Sequence, residues 1–320
     1  MKSKIIKKIN FDRSDFVNKT ALIAAIINER KIDPNSTKID LSYLDLSNFD
    51  LSGLNLDGAN FRNTILRGVS FMGCSLIGAN LTEANLSYAN LRDADLRDVD
   101  LSYAQLFNTS LIAADVFGAN LKGVKLYDAS LTAADLRAVN LQSSDLRYTN
   151  LCDIDLRNAN LSYAKLGAAQ LSGADLSNAN LTGADLRNTK LDSADLTNAQ
   201  LHGAILSGAD LSGANLSKAD LTYAILTGAN LSAAKLNGLD LRSAILRGAD
   251  KNDSNLFYPI GWQNIFNLND ADLSQCQFDD VNIEGTFFGY HQEISQKTRL
   301  KLIEGGAILK TNSPSKFPLQ

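Results

Sequence analysis

"ADLSNANLTGADLRN", residues 174–188, states one phrase three times: Ala174-Asp175-Leu176, Ala179-Asn180-Leu181, Ala184-Asp185-Leu186. The interval is five residues, matching neither the 3.6-residue period of a helix nor the two-residue period of a strand. Stepping by five from Leu41 to Leu246 gives 42 positions, of which 39 are Leu and the others are Phe61, Phe71 and Val116. Two residues before each of them stands mostly Ala, otherwise usually Val, Thr, Ser or Leu. In an extended segment alternate side chains share a side, so these two positions predict an inward face. The remaining three are largely Asp, Asn, Ser, Thr, Arg and Gly, which predicts an outward face with a turn. A chain that turns after every pentad closes on itself and stacks.

The number of pentads per coil follows from the residue just before the central Leu. Stacked coils place like residues above one another, so the true period is the one that yields coherent columns. At a spacing of 20, Asp95, Asp115, Asp135, Asp155, Asp175 and Asp195 form one column. Asn120, Asn140, Asn160 and Asn180 form a second, and Ile205, Ile225 and Ile245 a third. At 15, Asp95 leads to Ser110, Lys125 and Asn140, with no pattern. The expectation is therefore four sides per coil.

These pentads resemble those of the pentapeptide-repeat family, whose motif is A-(D/N)-L-x-x, from about Ile39 to Leu256. The resemblance implies an all-β solenoid, a right-handed quadrilateral β-helix. It also implies a non-catalytic role, since many relatives, especially in cyanobacteria, act as regulators or scaffolds. Other relatives are acidic rods that resemble duplex DNA and protect DNA gyrase from quinolones, which sets a DNA-mimicking modulator of gyrase or topoisomerase as the alternative.

The flanks divide the chain into five expected parts. Residues 1–37 form an N-terminal segment in which "NKTALIAAIINERKIDP" reads as a capping helix, and 38–257 form the β-helix. The first coil carries large residues two before the central Leu, namely Ile39, Leu44, Phe49 and Leu54, an apolar platform for that cap. Residues 258–267 form a bulge or loop holding the sole tryptophan, Trp262, and 268–290 a final coil. Residues 291–320 form a C-terminal helix, ended by Gly305 and Gly306, and a tail that caps the lower end or mediates a homodimer.

Charge divides the same way. The net value is −4, but residues 1–35 carry +4, residues 291–320 carry +3, and 36–290 carry −11. The three cysteines, Cys74, Cys152 and Cys276, make no CxxC, which argues against a zinc site or disulfide framework and for a reducing compartment. The apolar run "ALIAAII" is too short to span a bilayer, so a cytoplasmic location without membrane attachment is expected. The two histidines, His202 and His291, lie in no catalytic constellation, and no nucleotide, hydrolase or metalloprotease motif is present. The chain therefore reads as no enzyme, with no cofactor, no metal and no direct nucleic-acid contact.

What remains is surface. The side carrying residues 45, 65, 85 and onward differs from the others. It presents Ile205, Ile225 and Ile245 together with Tyr88, Phe107, Tyr127 and Tyr148, and with Lys125 and Lys165. Aromatic and apolar groups are what protein interfaces use, so this side is the candidate surface for another protein. The opposing side carries the acidic column, with Arg97, Arg137 and Arg157 placed two residues after Asp95, Asp135 and Asp155 as partial compensation.

Overall fold

The computed structural model describes residues 39–241, apart from 227, 232, 233, 237, 238 and 240. Further on it describes Phe287–Phe288, Leu300, Ile303, Glu304, Gly306 and Ile308–Leu309. The proposed capping helix, Ile245, the 258–267 bulge and nearly all of the final coil lie outside the described residues.

The chain is a right-handed quadrilateral β-helix. The residue before each central Leu makes one parallel bridge to its equivalent exactly one coil on. Asp95 bridges Asp115, Asp115 bridges Asp135, and the separation is twenty residues from Asp40↔Asn60 to Asn215↔Lys235. Three amides per pentad carry the stack: Leu176 N–H donates to Asp195 O at 2.7 Å, Asn178 N–H to Thr197 O at 2.9 Å, and Asp175 N–H to Ile154 O at 3.0 Å. At the usual strand spacing of about 4.8 Å, the described coils form a rod of roughly 45–50 Å.

The corner is a tight turn over the central Leu and the next three residues. Ala179 N–H donates to Leu176 O at 2.9 Å, and Asn178, third in the turn, has φ 59°. That hydrogen bond with a left-handed third residue is the type II pattern. Every third-turn position from Tyr43 to Gly228 adopts it: twenty-five non-glycine residues and thirteen glycines. The left-handed region costs an L-residue roughly 1–2 kcal/mol, and the stack imposes it at each corner. Some glycines also answer a second demand. A Cβ at Gly183 would lie 2.7 Å from the Tyr163 ring, and one at Gly123 2.6 Å from Tyr103. Each of those tyrosines lies over the glycine of the following coil.

Inside, the predicted positions are buried without exception in the quoted stretch: Ala174, Leu176, Ala179, Leu181, Ala184 and Leu186 have no exposed surface. Each buried Leu contributes about 1.5–3 kcal/mol, and Ala two residues before it keeps the bore narrow. Where the bore widens near the N-terminus, Phe61 and Phe71, ten residues apart and so on opposite sides, meet edge to face at 5.6 Å. Ile39 and Phe49 are buried, while Leu44 and Leu54 are only partly covered and pack against the same core.

The Ala slot also admits small polar residues. Thr64 donates to Leu41 O, Thr109 to Leu86 O and Thr189 to Leu186 O, at 2.7–2.8 Å. Cys74 does the same toward Leu51 O at 2.8 Å, and burial pushes its thiol up to about 11, which keeps it neutral and inert. Ser144 Oγ is buried with no partner among the described residues.

Beyond the coils, Leu300, Ile303 and Glu304 are helical and Gly306 (φ 84°) donates its N–H to Ile303 O. Strand β1 (Phe287–Phe288) pairs in parallel with β2 (Ile308–Leu309), in the register Phe287↔Ile308. No sequence pattern announced β2. It is a two-residue element, too short for periodicity to register.

Candidate interaction surface

Where it is Asp or Asn, the outward residue before the central Leu has a structural task that explains its chemistry. Its side-chain oxygen accepts the N–H two residues on, closing an Asx turn. Ser177 N–H donates to Asp175 Oδ1 at 3.0 Å, Thr182 N–H to Asn180 Oδ1 at 3.0 Å, and the same bond recurs at Asp100, Asp115, Asp195 and Asp220, among others. Asn adds a second bond, since its amide also donates along the column. Asn160 donates to Asn140, Asn140 to Asn120, and Asn120 to Asp100, at 3.0–3.2 Å.

Isoleucine can do neither. Ile65, Ile205 and Ile225 stand where the repeat ordinarily places an acceptor, and Ile205 bridges Ile225 directly. Ile65 is exposed, while Ile205 and Ile225 are half-buried. Ile245 lies outside the described residues. The same side gathers the aromatic residues on four successive coils. Arg67 sits over the Tyr88 ring at 5.1 Å, Phe107 is half-buried on the next coil, and Tyr127 meets Tyr148 edge to face at 5.9 Å. Tyr88, Tyr127 and Tyr148 are exposed. One side thus carries an aromatic N-terminal half and an isoleucine C-terminal half.

This side also holds charges that sequence reasoning passed over. Asp145 is clamped by Arg147 at 2.7 Å and Asp185 by Arg187 at 2.6 Å. Hydrogen bonding to the guanidinium holds both carboxyls below the ordinary value. The signal was present in the D-L-R spacing, identical to that recognised on the acidic side.

The acidic column is continuous from Asp95 to Asp195. Arg97 binds Asp95 at 2.6 Å and reaches Asp115 at 3.6 Å; Arg157 binds Asp155 at 2.6 Å and reaches Asp175 at 3.6 Å. Arg137 likewise joins Asp135 to Asp155. Each arginine therefore bridges two coils and relieves the like-charge contact that the stack creates.

A second feature escaped sequence reasoning. Tyr43, Tyr103, Tyr163 and Tyr223 are all exposed, all left-handed and sixty residues apart, one every third coil along the Asn side. The recurring Ser/Thr-Tyr dipeptide at that interval was the available signal. His202, next to this row, contacts Thr222 Oγ1 at 2.7 Å and the Tyr223 ring at 5.3 Å, which occupies one ring nitrogen and one face. Among the described residues no group of His, Cys, Asp and Glu could hold a metal ion, and no helix is long and apolar enough to cross a membrane.

Comparison with known proteins agrees with this geometry. Copies of the profile described as pentapeptide repeats match across residues 37–256. HetL, a pentapeptide repeat protein involved in heterocyst differentiation regulation from the cyanobacterium Nostoc sp. strain PCC 7120, is 34% identical with a TM-score of 0.54, over 68% of this chain and 94% of its own. A pentapeptide repeat protein of the Arabidopsis thaliana thylakoid lumen is 37% identical over 31% of this chain and 69% of its own, with a TM-score of 0.31. QnrB1, a plasmid-mediated fluoroquinolone resistance protein, is 18% identical over 67% of this chain and 94% of its own, with a TM-score of 0.38. No curated protein matches.

Proposed function

This chain belongs to the pentapeptide repeat proteins, and from that premise we propose that it is a non-catalytic scaffold or regulator that binds another protein along the side bearing Ile205 and Ile225. The observation that carries the reading is the exchange made at those two positions. An Asx acceptor worth a hydrogen bond to the backbone is replaced by an apolar side chain that gains only partial burial. Such a replacement weakens the solenoid locally, by roughly 0.5–1.5 kcal/mol for a lost hydrogen bond. A surface use accounts for keeping it. The likeness to HetL, a protein involved in regulation, supports the same class of role.

Ile205→Asn/Ile225→Asn tests this cleanly. Asparagine restores the Asx bonds and can continue a ladder of the kind seen from Asn120 to Asn160. The variant is expected to melt at or above the wild-type temperature while losing association with its partner in affinity capture compared side by side with wild type. Retention of the full partner set would remove the surface assignment.

Modulation of gyrase by DNA mimicry is the weaker reading. It draws on the acidic column, but five of the six aspartates there, all except Asp195, are ion-paired with Arg97, Arg137 or Arg157. A mimic of duplex phosphate needs a charge row left open. A supercoiling assay with purified gyrase is expected to show no inhibition.

A further inference from the structure

The column that contains the isoleucines is also the one with alternating charge. Going up the stack it reads Gln105, Lys125, Asp145, Lys165, Asp185, Ile205, Ile225. The alternation has a centre of symmetry between Asp145 and Lys165. A twofold axis lying in this face at that level, and running across the rod, turns a second rod antiparallel to the first. It keeps each column opposite itself while reversing its order. Asp145 then faces Lys165 of the second copy, and Lys125 faces Asp185. Every charge of the column from Lys125 to Asp185 meets its opposite, twice over by symmetry.

The shape of the face follows the same axis. Among the turn residues of this face, one in each coil from Tyr88 to Tyr148 is aromatic, whereas Gly167, Ala168, Ser207, Gly208 and Gly228 are small and Arg187 is the large exception. Under this operation Tyr148 lies opposite Ala168, Phe107 opposite Ser207, and Tyr88 opposite Gly228, at which an added Cβ would meet nothing within 4 Å. Tyr127 comes against Arg187, a ring-on-guanidinium pairing. The isoleucines take the level of the aromatic coils: Ile205 meets the coil of Phe107, and Ile225 the coil of Tyr88. Both rods share one inter-coil spacing, so the match does not drift along the contact.

We propose that this face is an isologous interface between two copies of the chain, packed antiparallel about a twofold axis between the coils of Asp145 and Lys165. The proposal rests on the reading of this side as an interface and specifies what occupies it. Lys125 and Lys165 form no close ion pair among the described residues, where Asp145 and Asp185 are clamped by arginines instead; Lys165 acts on Asp145 of its own rod only through space. Asp145 and Asp185 keep lone pairs free beside their arginines.

Two chains test it by sedimentation velocity. Lys125→Glu/Lys165→Glu makes the column wholly acidic, and Asp145→Lys/Asp185→Lys makes it wholly basic. The wild type is expected to be a dimer at micromolar concentration. Each variant alone is expected to weaken the dimer by roughly tenfold or more, and an equimolar mixture to associate again. Register is read by oxidative crosslinking, with Cys152, which is exposed, and Cys276 replaced by serine. A Phe107→Cys chain mixed with a Ser207→Cys chain is expected to form a disulfide between copies, whereas neither chain crosslinks to itself. A monomeric wild type, variants that dimerise alone as well as wild type, or crosslinks within a single type of chain would each overturn the proposal. A monomeric wild type that still loses a captured partner on Ile205→Asn/Ile225→Asn would overturn the dimer and leave the interface standing.

Discussion

At the scale of the residue, the left-handed corner is the costliest constraint in the molecule and the one least visible beforehand. Ala113, Ala133 and Ala138 each carry φ of 55–58° without a polar side chain to favour it. Replacing all three by glycine relieves a strain of about 1–2 kcal/mol apiece, offset by the roughly 0.5–1 kcal/mol that glycine gains in the unfolded chain. The triple variant is expected to be more stable by about 1.5–3 kcal/mol in chemical denaturation. An unchanged or lower midpoint would show that the corners are relaxed. The reverse exchange shows why the rule is not general: at Gly173 (φ 69°) an added Cβ would collide with Asp153 Oδ1.

The same corner marks where sequence reading stopped. The fivefold repeat and the twenty-residue coil were legible because burial and column matching act on residue type directly: Leu inside, Asp over Asp, Asn over Asn. The left-handed position was not, because Tyr, Ala and Ser share it with Gly and Asn and blur its composition. The Asx turn explains the (D/N) of the motif, yet only a structure shows which amide the oxygen accepts. The isoleucine and aromatic positions could be placed on one side from the repeat alone. Their partial burial could not, since it depends on how neighbours in the stack lean on one another.

At the scale of the element, one coil is held by the coils on either side of it. Leu176 lies fully buried, between Leu156 and Leu196, which occupy its position one coil before and one coil after. A carboxylate there has no partner, and an isolated buried charge costs several kcal/mol. Leu176→Asp is therefore expected to lower the melting temperature by ten degrees or so, or to open the rod at this level to protease. A variant that melts with wild type would refute the inward assignment. Because each coil contacts only its neighbours, such damage is expected to remain regional rather than abolish the β signal of the whole rod.

At the scale of the whole molecule, charge and pH act through the columns. Hydrogen bonds from arginine hold Asp95, Asp135, Asp145, Asp155 and Asp185 below the ordinary carboxylate value of 3.8. A carboxyl depressed in the folded state contributes stability that is complete above its unfolded value and is lost as the pH falls through its folded one. The melting temperature is expected to be flat from pH 5 to 8 on this account, and to fall below about pH 4. Removing the clamps reverses the sign on one side. In Arg97→Gln/Arg137→Gln/Arg157→Gln the stacked aspartates face only each other, which raises their folded values. That variant is expected to melt lower than wild type at pH 7 and to gain stability on mild acidification toward pH 5. A parallel loss in both proteins would mean that the arginines do not screen the column.

The constant separation of twenty between bridged residues has a consequence for ancestry. Cross-section and length are independent heritable traits in such a chain. Gaining or losing one whole coil lengthens or shortens the rod yet leaves every column on its own side, while any other increment moves Asp, Asn and Ile onto foreign sides at once. Selection therefore admits duplications in whole-coil units. Tyr43, Tyr103, Tyr163 and Tyr223, three coils apart on a single side, keep one register along the length of the described coils, a graduation marked on the molecule.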